Sequence, residues 1–334
     1  MVDISDLDID RIVADGALDG LLSAAILRRV WGHASVRFSH PAEVRRGGVD
    51  DWMSRKTAVL DLPFHPLCGL HIDHHLTNKP TPEEKELAAL EGCHIVWDGA
   101  LSAARVCFDT FQDTTNLDDI GTWMEMVDKL DGGKISREEF LSDHPIVWIG
   151  RTIDATDVVY CQSLLQHIID GISPSELVKI PSVAEKIAHS KDEFRRLHSM
   201  LEECSTIVDR IAIVRLEDKG IRTNGYLVTA HFGDKCDACM IVHGYHDLKD
   251  DEERWPLSTS FYTNSFLHEE GGLFDLTQLA TAFDPDGGGH ANACGCRIQP
   301  LTEEGQREDR VVVSSDIERN IEAWMIKWAD RSRQ

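Results

Sequence analysis

Short apolar runs alternate with helical spacings through the first half of the chain. Residues 9–13 form a strand candidate, after which Leu18, Leu21, Leu22, Ala25, Ile26 and Val30 recur at the spacing of one helix face. Residues 36–38, 57–60 and 94–97 read as further short strands. Ser102 is a good N-cap for the amphipathic run 103–111, and helical segments continue over 118–130 and 157–169. Strands alternating with helices of this length predict a mainly parallel sheet covered on both faces.

The second half changes character. Residues 182–210 form a long polar-rich helical stretch, with Ile187, Phe194, Leu197, Leu201 and Ile207 as its apolar positions, and read as a connector. Beyond it, residues 211–214, 225–230, 238–242 and 257–262 are strand-like, with a helix over 276–282. A closing helix over 314–330 carries Ile317, Ile321, Trp324 and Trp328 on one face, suited to its own domain or to a second subunit in a homodimer. The expected class is α/β: an N-terminal, mainly parallel sheet flanked by helices, joined by a helical linker to a smaller α/β C-terminal domain. The corresponding divisions are 1–180, 181–210 and 211–300, with an extension and helix over 301–334.

Length and composition agree with this. A chain of 334 residues suggests about two domains, and 42% hydrophobic with 28% charged residues is a globular balance. No apolar run approaches the ~20 residues that span a bilayer. The acidic start, MVDISDLDIDR, lacks the basic and apolar parts of a signal peptide, so a cytoplasmic location is expected. Nine cysteines at irregular spacing point to reduced thiols. The pairs Cys236/Cys239 and Cys294/Cys296 could together offer four thiolates to zinc, but their β-type neighbours favour burial in a core.

Charge changes the picture more. Asp and Glu number 58 against 34 Lys and Arg, a formal net of −24. A protein that neutralises many phosphates needs a basic surface, so long nucleic acid is an unsuitable partner. The acid is either solvating surface or, in part, a set of carboxylates that converge on divalent cations.

Four places put Asp or His where a strand gives way to a loop, the usual position of sites in parallel α/β sheets. They are Asp15-Gly-Ala-Leu-Asp19-Gly20 with Ser23, then Asp61 after an apolar run, then Asp73-His74-His75, and finally Asp128 with Asp131. Oxygen ligands with one imidazole suit Mn2+ or Mg2+ better than zinc. Such ions make a nucleophile of water near neutral pH and hold phosphoryl oxygens in line for attack. In the second half, Gly287-Gly288-Gly289-His290 lets backbone N–H groups approach an anion, with Arg297 shortly beyond.

The order D-x-x-x-D-G-x-x-S, an isolated Asp, D-H-H and a later Asp resembles the DHH phosphoesterase superfamily, which includes RecJ-type exonucleases, nanoRNases and exopolyphosphatases. Ser102-Ala103-Ala104-Arg105 looks like the family's serine-alanine helix start. Gly287-Gly288-Gly289-His290-Ala-Asn-Ala293-Cys-Gly295 resembles the signature of the DHH-associated C-terminal domain, about 215 residues after D-H-H. The resemblance covers nearly the whole chain up to Gln299.

It implies a metal held by Asp19, Asp61, His74 and Asp128, with Asp131 as the alternative to Asp128, and Asp61 bridging to a second metal. His75 would sit near substrate or water, Ser23 would cap or brace the first helix, and Gly287, Gly288, Gly289, His290 and Arg297 would hold substrate phosphate. One or two Mn2+ or Mg2+ ions are implied, in a cleft between the D-H-H face and the glycine loop. The first motif departs from the family: Ala17 stands where members usually have Asp, and Asp15, near the place of an upstream histidine, is the metal-ligand candidate that would compensate for it. An arginine common before the last helix of the domain is also missing; Tyr262 lies in that segment and is the aromatic residue available for stacking on a base.

The function this implies is hydrolysis of a short phosphodiester (a nanoRNA, a linear or cyclic dinucleotide, or a nucleotide bisphosphate) by a metal-bound hydroxide, with Asp61, His74 and His75 as the catalytic residues. The alternatives are an exopolyphosphatase acting on phosphoanhydrides and a catalytically weakened nucleotide-binding regulator.

Overall fold

A computed structural model of the chain describes residues 4–246 and 255–333. In order, β1 (Arg11–Asp15), α1 (Leu18–Val30), β2 (Ser35–Ser39), α2 (Pro41–Arg45), β3 (Thr57–Leu60), β4 (Leu70–Asp73), α3 (Pro82–Leu90), β5 (His94–Trp97), α4 (Ala103–Phe111) and α5 (Asp118–Asp131) come first. Five further helices follow: α6 (Arg137–Leu141), α7 (Pro145–Thr152), α8 (Val158–Ile169), α9 (Pro174–Leu177) and α10 (Pro181–Cys204). The remainder comprises β6 (Ser205–Val208), β7 (Ile211–Arg215), α11 (Gly225–Phe232), β8 (Ala238–His243), β9 (Ser258–Thr263), α12 (Thr277–Ala280), β10 (Gly288–His290), β11 (Ala293–Arg297) and α13 (Ser314–Ala329). Contacts divide the chain into two units, Met1–Ile135 with Ser142–Asp192, and Ser136–Leu141 with Glu193–Gln334. The division passes through α10, so that helix belongs to both.

The first unit is a parallel five-stranded sheet ordered β2-β1-β3-β4-β5. Every residue of β3 and β4 is buried, the pattern expected when helices cover both faces of a parallel sheet. Strand order reverses at β1, whose neighbours are β2 on one side and β3 on the other. Loops at the carboxyl ends of β1 and β3 therefore diverge around a crevice, where open α/β sheets place their sites. Two backbone features shape that edge. A Cβ at Gly20 would stand 2.3 Å from the Asp15 carbonyl oxygen, so only glycine lets α1 start this close to the end of β1. Asp61 follows β3 with φ +57°, a left-handed conformation that turns the chain sharply out of the strand.

The second unit is a mixed six-stranded sheet ordered β10-β11-β9-β8-β7-β6, in which β7 and β8 alone run parallel. α13 buries Ile317, Ile321, Trp324 and Trp328 against Phe261, Phe274 and Met240, so its apolar face is covered by its own unit. Asp316, fully buried in the first turn of that helix, accepts from Arg310 and from the N–H groups of Val313 and Leu301. Burial alone would raise its pKa, but those donors hold it at about 2.

Three elements differ from the sequence reading. Residues 225–230, strand-like by composition, lie in α11: Asn224 caps it by accepting the Leu227 N–H, and Gly225 lets the Tyr262 ring lie against it. The long helix read over 182–210 ends at Cys204, and Ile207, placed on its apolar face, belongs to the edge strand β6. Residues 288–290 of the glycine loop pair as β10 with β11. The two close cysteine pairs pack in separate cores, Cys236 and Cys239 with Val214 and Ile241, Cys294 and Cys296 with Phe261 and Trp324. They offer no shared set of thiolates. Among the described residues, no helix is long and apolar enough to cross a membrane.

Candidate metal centre and glycine hairpin

The carboxyl edge of the first sheet gathers most of the motif residues. Asp15 ends β1, Asp61 follows β3, Asp73 ends β4, and His74 and His75 come next. Asp19 lies in the first turn of α1 and Asp131 is the last residue of α5. From His74 Nε2, Asp131 Oδ2 is 3.2 Å away, Asp61 Oδ1 3.7 Å and Asp19 Oδ2 3.8 Å.

Each side chain is held by a named partner. Asp19 is almost fully buried, and its two oxygens accept the N–H groups of Ala103 and Ala104, both at 2.7 Å. The Ser102-Ala-Ala-Arg105 helix start is thus a pair of free helix N–H groups aimed at a carboxylate. His74 Nδ1 lies 3.2 Å from the Ala100 carbonyl, so that nitrogen carries the proton and Nε2 keeps its lone pair toward the carboxylates. Asp73 Oδ1 accepts from the backbone N–H of His74 and from His75 Nδ1, and Asp73 Oδ2 from Asn78.

Asp128, placed beside Asp131 in the sequence, faces elsewhere. Its oxygens accept Ser102 Oγ at 2.7 Å and Arg105 Nη2 at 2.6 Å. Ser102 Oγ also caps α4 by accepting the Arg105 N–H. Asp15 Oδ2 accepts the Ala17 N–H at 2.9 Å, and Ala17 itself, exposed at the start of α1, offers only a methyl group. Ser23 is fully buried on α1 and faces Cys107 of α4.

The electrostatics are those of crowded carboxylates without a counter-charge. Burial, then the neighbouring Asp131, raises the Asp19 pKa to about 7. Burial raises Asp131 to about 6, and burial with Asp19 pushes Asp61 well above its usual value. Asp73 goes the other way: burial works upward, but hydrogen bonds from His75 and Asn78 bring it below the usual carboxylate range. His75 is raised, chiefly by its hydrogen bond to Asp73.

These residues fit a divalent cation. Asp61 Oδ1 and His74 Nε2 are buried and have no hydrogen-bond partner, a costly state for both unless something else meets them. Ligands ~2.1 Å from one ion at right-angle to tetrahedral spacing stand roughly 3.0–3.5 Å apart, close to the separations around His74 Nε2. Hard oxygens with a single imidazole are the donor set of Mn2+ or Mg2+.

In the second unit, the glycines of β10 have separable roles. A Cβ at Gly287 would stand 2.2 Å from the Ala280 carbonyl oxygen, and Gly289 has φ +138° with its would-be Cβ 2.6 Å from the Ala293 carbonyl oxygen. Packing and backbone conformation explain both. At Gly288 nothing lies within 4 Å of the same position. His290 is exposed and sits in register with Ala293 and Tyr262 across three strands. Arg297 is exposed too, its N–H donating to the buried Asp284.

Sequence reasoning missed the support around these groups: the Ala103 and Ala104 N–H groups, Asn78, and Arg105 as the partner of Asp128. The signal for the first was the helix start at Ser102, whose N–H groups had to face something.

No family model matches the sequence, and no curated protein matches it. Solved structures do. A pGpG-specific phosphodiesterase, PggH, from Vibrio cholerae superposes with a TM-score of 0.71 and 19% identity over 95% of this chain and 98% of that one. The exonuclease RecJ bound to manganese gives a TM-score of 0.53 and 13% identity over 97% of this chain and 91% of that one. RecJ of Thermus thermophilus in complex with Mn2+ gives 0.51 and 12%, over 95% of this chain and 52% of that one. On these superpositions the chain has the same fold as the phosphodiesterase and exonuclease structures.

Proposed function

We propose that this chain is a divalent-cation-dependent phosphoesterase that hydrolyses a short phosphodiester such as a linear dinucleotide. The observation that carries the reading is the convergence of Asp19, Asp61 and Asp131 on His74 Nε2, with two of the atoms buried and unpartnered. The fold shared with a pGpG-specific phosphodiesterase favours a short diester over polyphosphate. The net charge of −24 also favours a small anion over a long one.

Asp19, Asp61, His74 and Asp131 would hold the cation, which in such a donor set supplies neutralisation of phosphoryl charge and acidification of water. The Ala103 and Ala104 N–H groups fix Asp19, and the Ala100 carbonyl fixes the tautomer of His74, so both present lone pairs without rearrangement. His75 is 40% exposed and its Nδ1 is tied to Asp73, which leaves Nε2 on the far edge of the ring to hold or release a proton at the phosphoryl group. Gly288, with His290 and Arg297, offers an open anion-binding edge on the second unit.

A screen of pGpG, short RNA, cyclic dinucleotides and polyphosphate with Mn2+ or Mg2+ tests this. We expect release of mononucleotide from dinucleotides, abolished in Asp61→Asn. Release of phosphate from polyphosphate alone would support an exopolyphosphatase instead. Nucleotide binding with no turnover on any substrate would leave a regulatory protein as the reading.

A further inference from the structure

Resting on the reading above, we propose that the centre holds one resident divalent cation, in the set Asp19, Asp61, His74 and Asp131, and that the adjoining group of Asp61, Asp73, His74 and His75 is not a second resident site. Asp19, His74 and Asp131 bring ligand atoms within reach of a single ion, as do Asp61, Asp73, His74 and His75, and Asp61 Oδ1 lies 3.7 Å from His74 Nε2. They differ in what those atoms are already doing.

In the first set the lone pairs are free. Asp61 Oδ1 and His74 Nε2 have no hydrogen-bond partner. Each oxygen of Asp19 accepts one N–H, and a carboxylate oxygen has room for about two donors. Asp131 faces His74 Nε2 directly.

In the second set Asp73 Oδ1 and His75 Nδ1 are committed to each other. Asp73 Oδ1 accepts three hydrogen bonds, from the His74 N–H at 2.9 Å, the His75 N–H at 3.3 Å and His75 Nδ1 at 2.8 Å. Its Oδ2 accepts Asn78 Nδ2 at 2.6 Å. The His75 atom that comes within 3.6 Å of Asp61 is that same Nδ1, which points a proton at Asp73. Asp61 and His74 remain, and both already belong to the first set. Of the first motif, Ala17 brings no donor atom, and Asp15 brings only the oxygen not turned to the Ala17 N–H. A second ion would have to displace the Asp73–His75–Asn78 network, which is buried at Asp73.

The experiment is Mn2+ binding to the metal-free full chain by equilibrium dialysis, with electron paramagnetic resonance of the loaded protein. One Mn2+ per chain with the hyperfine pattern of an isolated ion is expected. In Asp131→Asn that ion should bind on the order of 10–100-fold more weakly. In Ala17→Asp, where a carboxylate also suits the exposed helix N-cap, a second ion should appear, with the exchange-broadened signal of ions roughly 3.5–4 Å apart. Two tightly held Mn2+ in the unmodified chain would overturn this inference and leave the hydrolase reading intact. No bound Mn2+ at all would overturn both.

Discussion

Arg105 grips one oxygen of Asp128 with Nε at 3.0 Å and Nη2 at 2.6 Å, while three residues later Asp131 turns to His74. Two carboxylates on one helix therefore have different work. Asp131→Asn should weaken Mn2+ binding on the order of 10–100-fold with little change in metal-free stability. Asp128→Asn should do the reverse, costing about 1–3 kcal/mol because Arg105 loses its charged partner, with Mn2+ affinity kept within a few-fold. Urea unfolding of the metal-free proteins and calorimetric Mn2+ titration would separate them. An opposite ranking would move the ligand role to Asp128.

The metal-free centre should also make stability depend on pH in a specific direction. Asp19 and Asp131 titrate at about 7 and about 6 in the fold, against about 3.9 for an unfolded aspartate. A carboxyl with a raised folded pKa contributes stability that is complete below the unfolded value and lost as pH rises through the folded one. The metal-free protein should therefore weaken from about pH 4 to about pH 7. Mn2+ binds the ionised forms, so the gap in Tm between loaded and metal-free protein should widen over that range. At 100-fold excess over Kd the ion adds about 2.7 kcal/mol, or about 4 °C for a protein of this size. Thermal melts at about pH 5 and about pH 8 check this, and a gap that narrows toward high pH would contradict it.

The glycine hairpin gives a test of binding that is separate from folding. Gly287→Ala should cost about 1–3 kcal/mol through its contact with Ala280, and Gly289→Ala about as much or more, through its positive φ together with its contact with the Ala293 carbonyl oxygen. Gly288→Ala should stay within about 0.5 kcal/mol of the unmodified protein, because its Cβ would meet nothing. If the hairpin receives a phosphate, that same variant should raise KM with kcat preserved. Equal destabilisation by all three, or an unchanged KM in Gly288→Ala, would remove the hairpin from the binding surface.

Local signals carried as far as local forces do. α4 begins and ends where its Ser102 cap and apolar spacing place it, because both act within a few residues. α11 reads as a strand because Tyr-Leu-Val-Thr favours strands, whereas the features that make it a helix are the Asn224 cap and the Tyr262 ring from a distant strand. The same limit applies at the metal centre. Asp19, Asp61 and His74 stand out at strand ends, but Asp128 and Asp131 share a helix three residues apart. Which of them faces His74 is decided by Arg105 and Ser102, residues of a different helix, and no spacing within α5 contains that information.

The left-handed turn after β3 restricts position 61 before any chemistry is considered. An alanine there would bear about 1 kcal/mol or more of backbone strain, and a β-branched residue more still. Glycine and asparagine accept the bend but bring no charge. Aspartate satisfies both the turn and the cation, and brings a negative charge that the other tolerant residues lack. Replacing Asp61 by alanine would alter both at once, and asparagine is the substitution that changes the charge while the chain keeps its course.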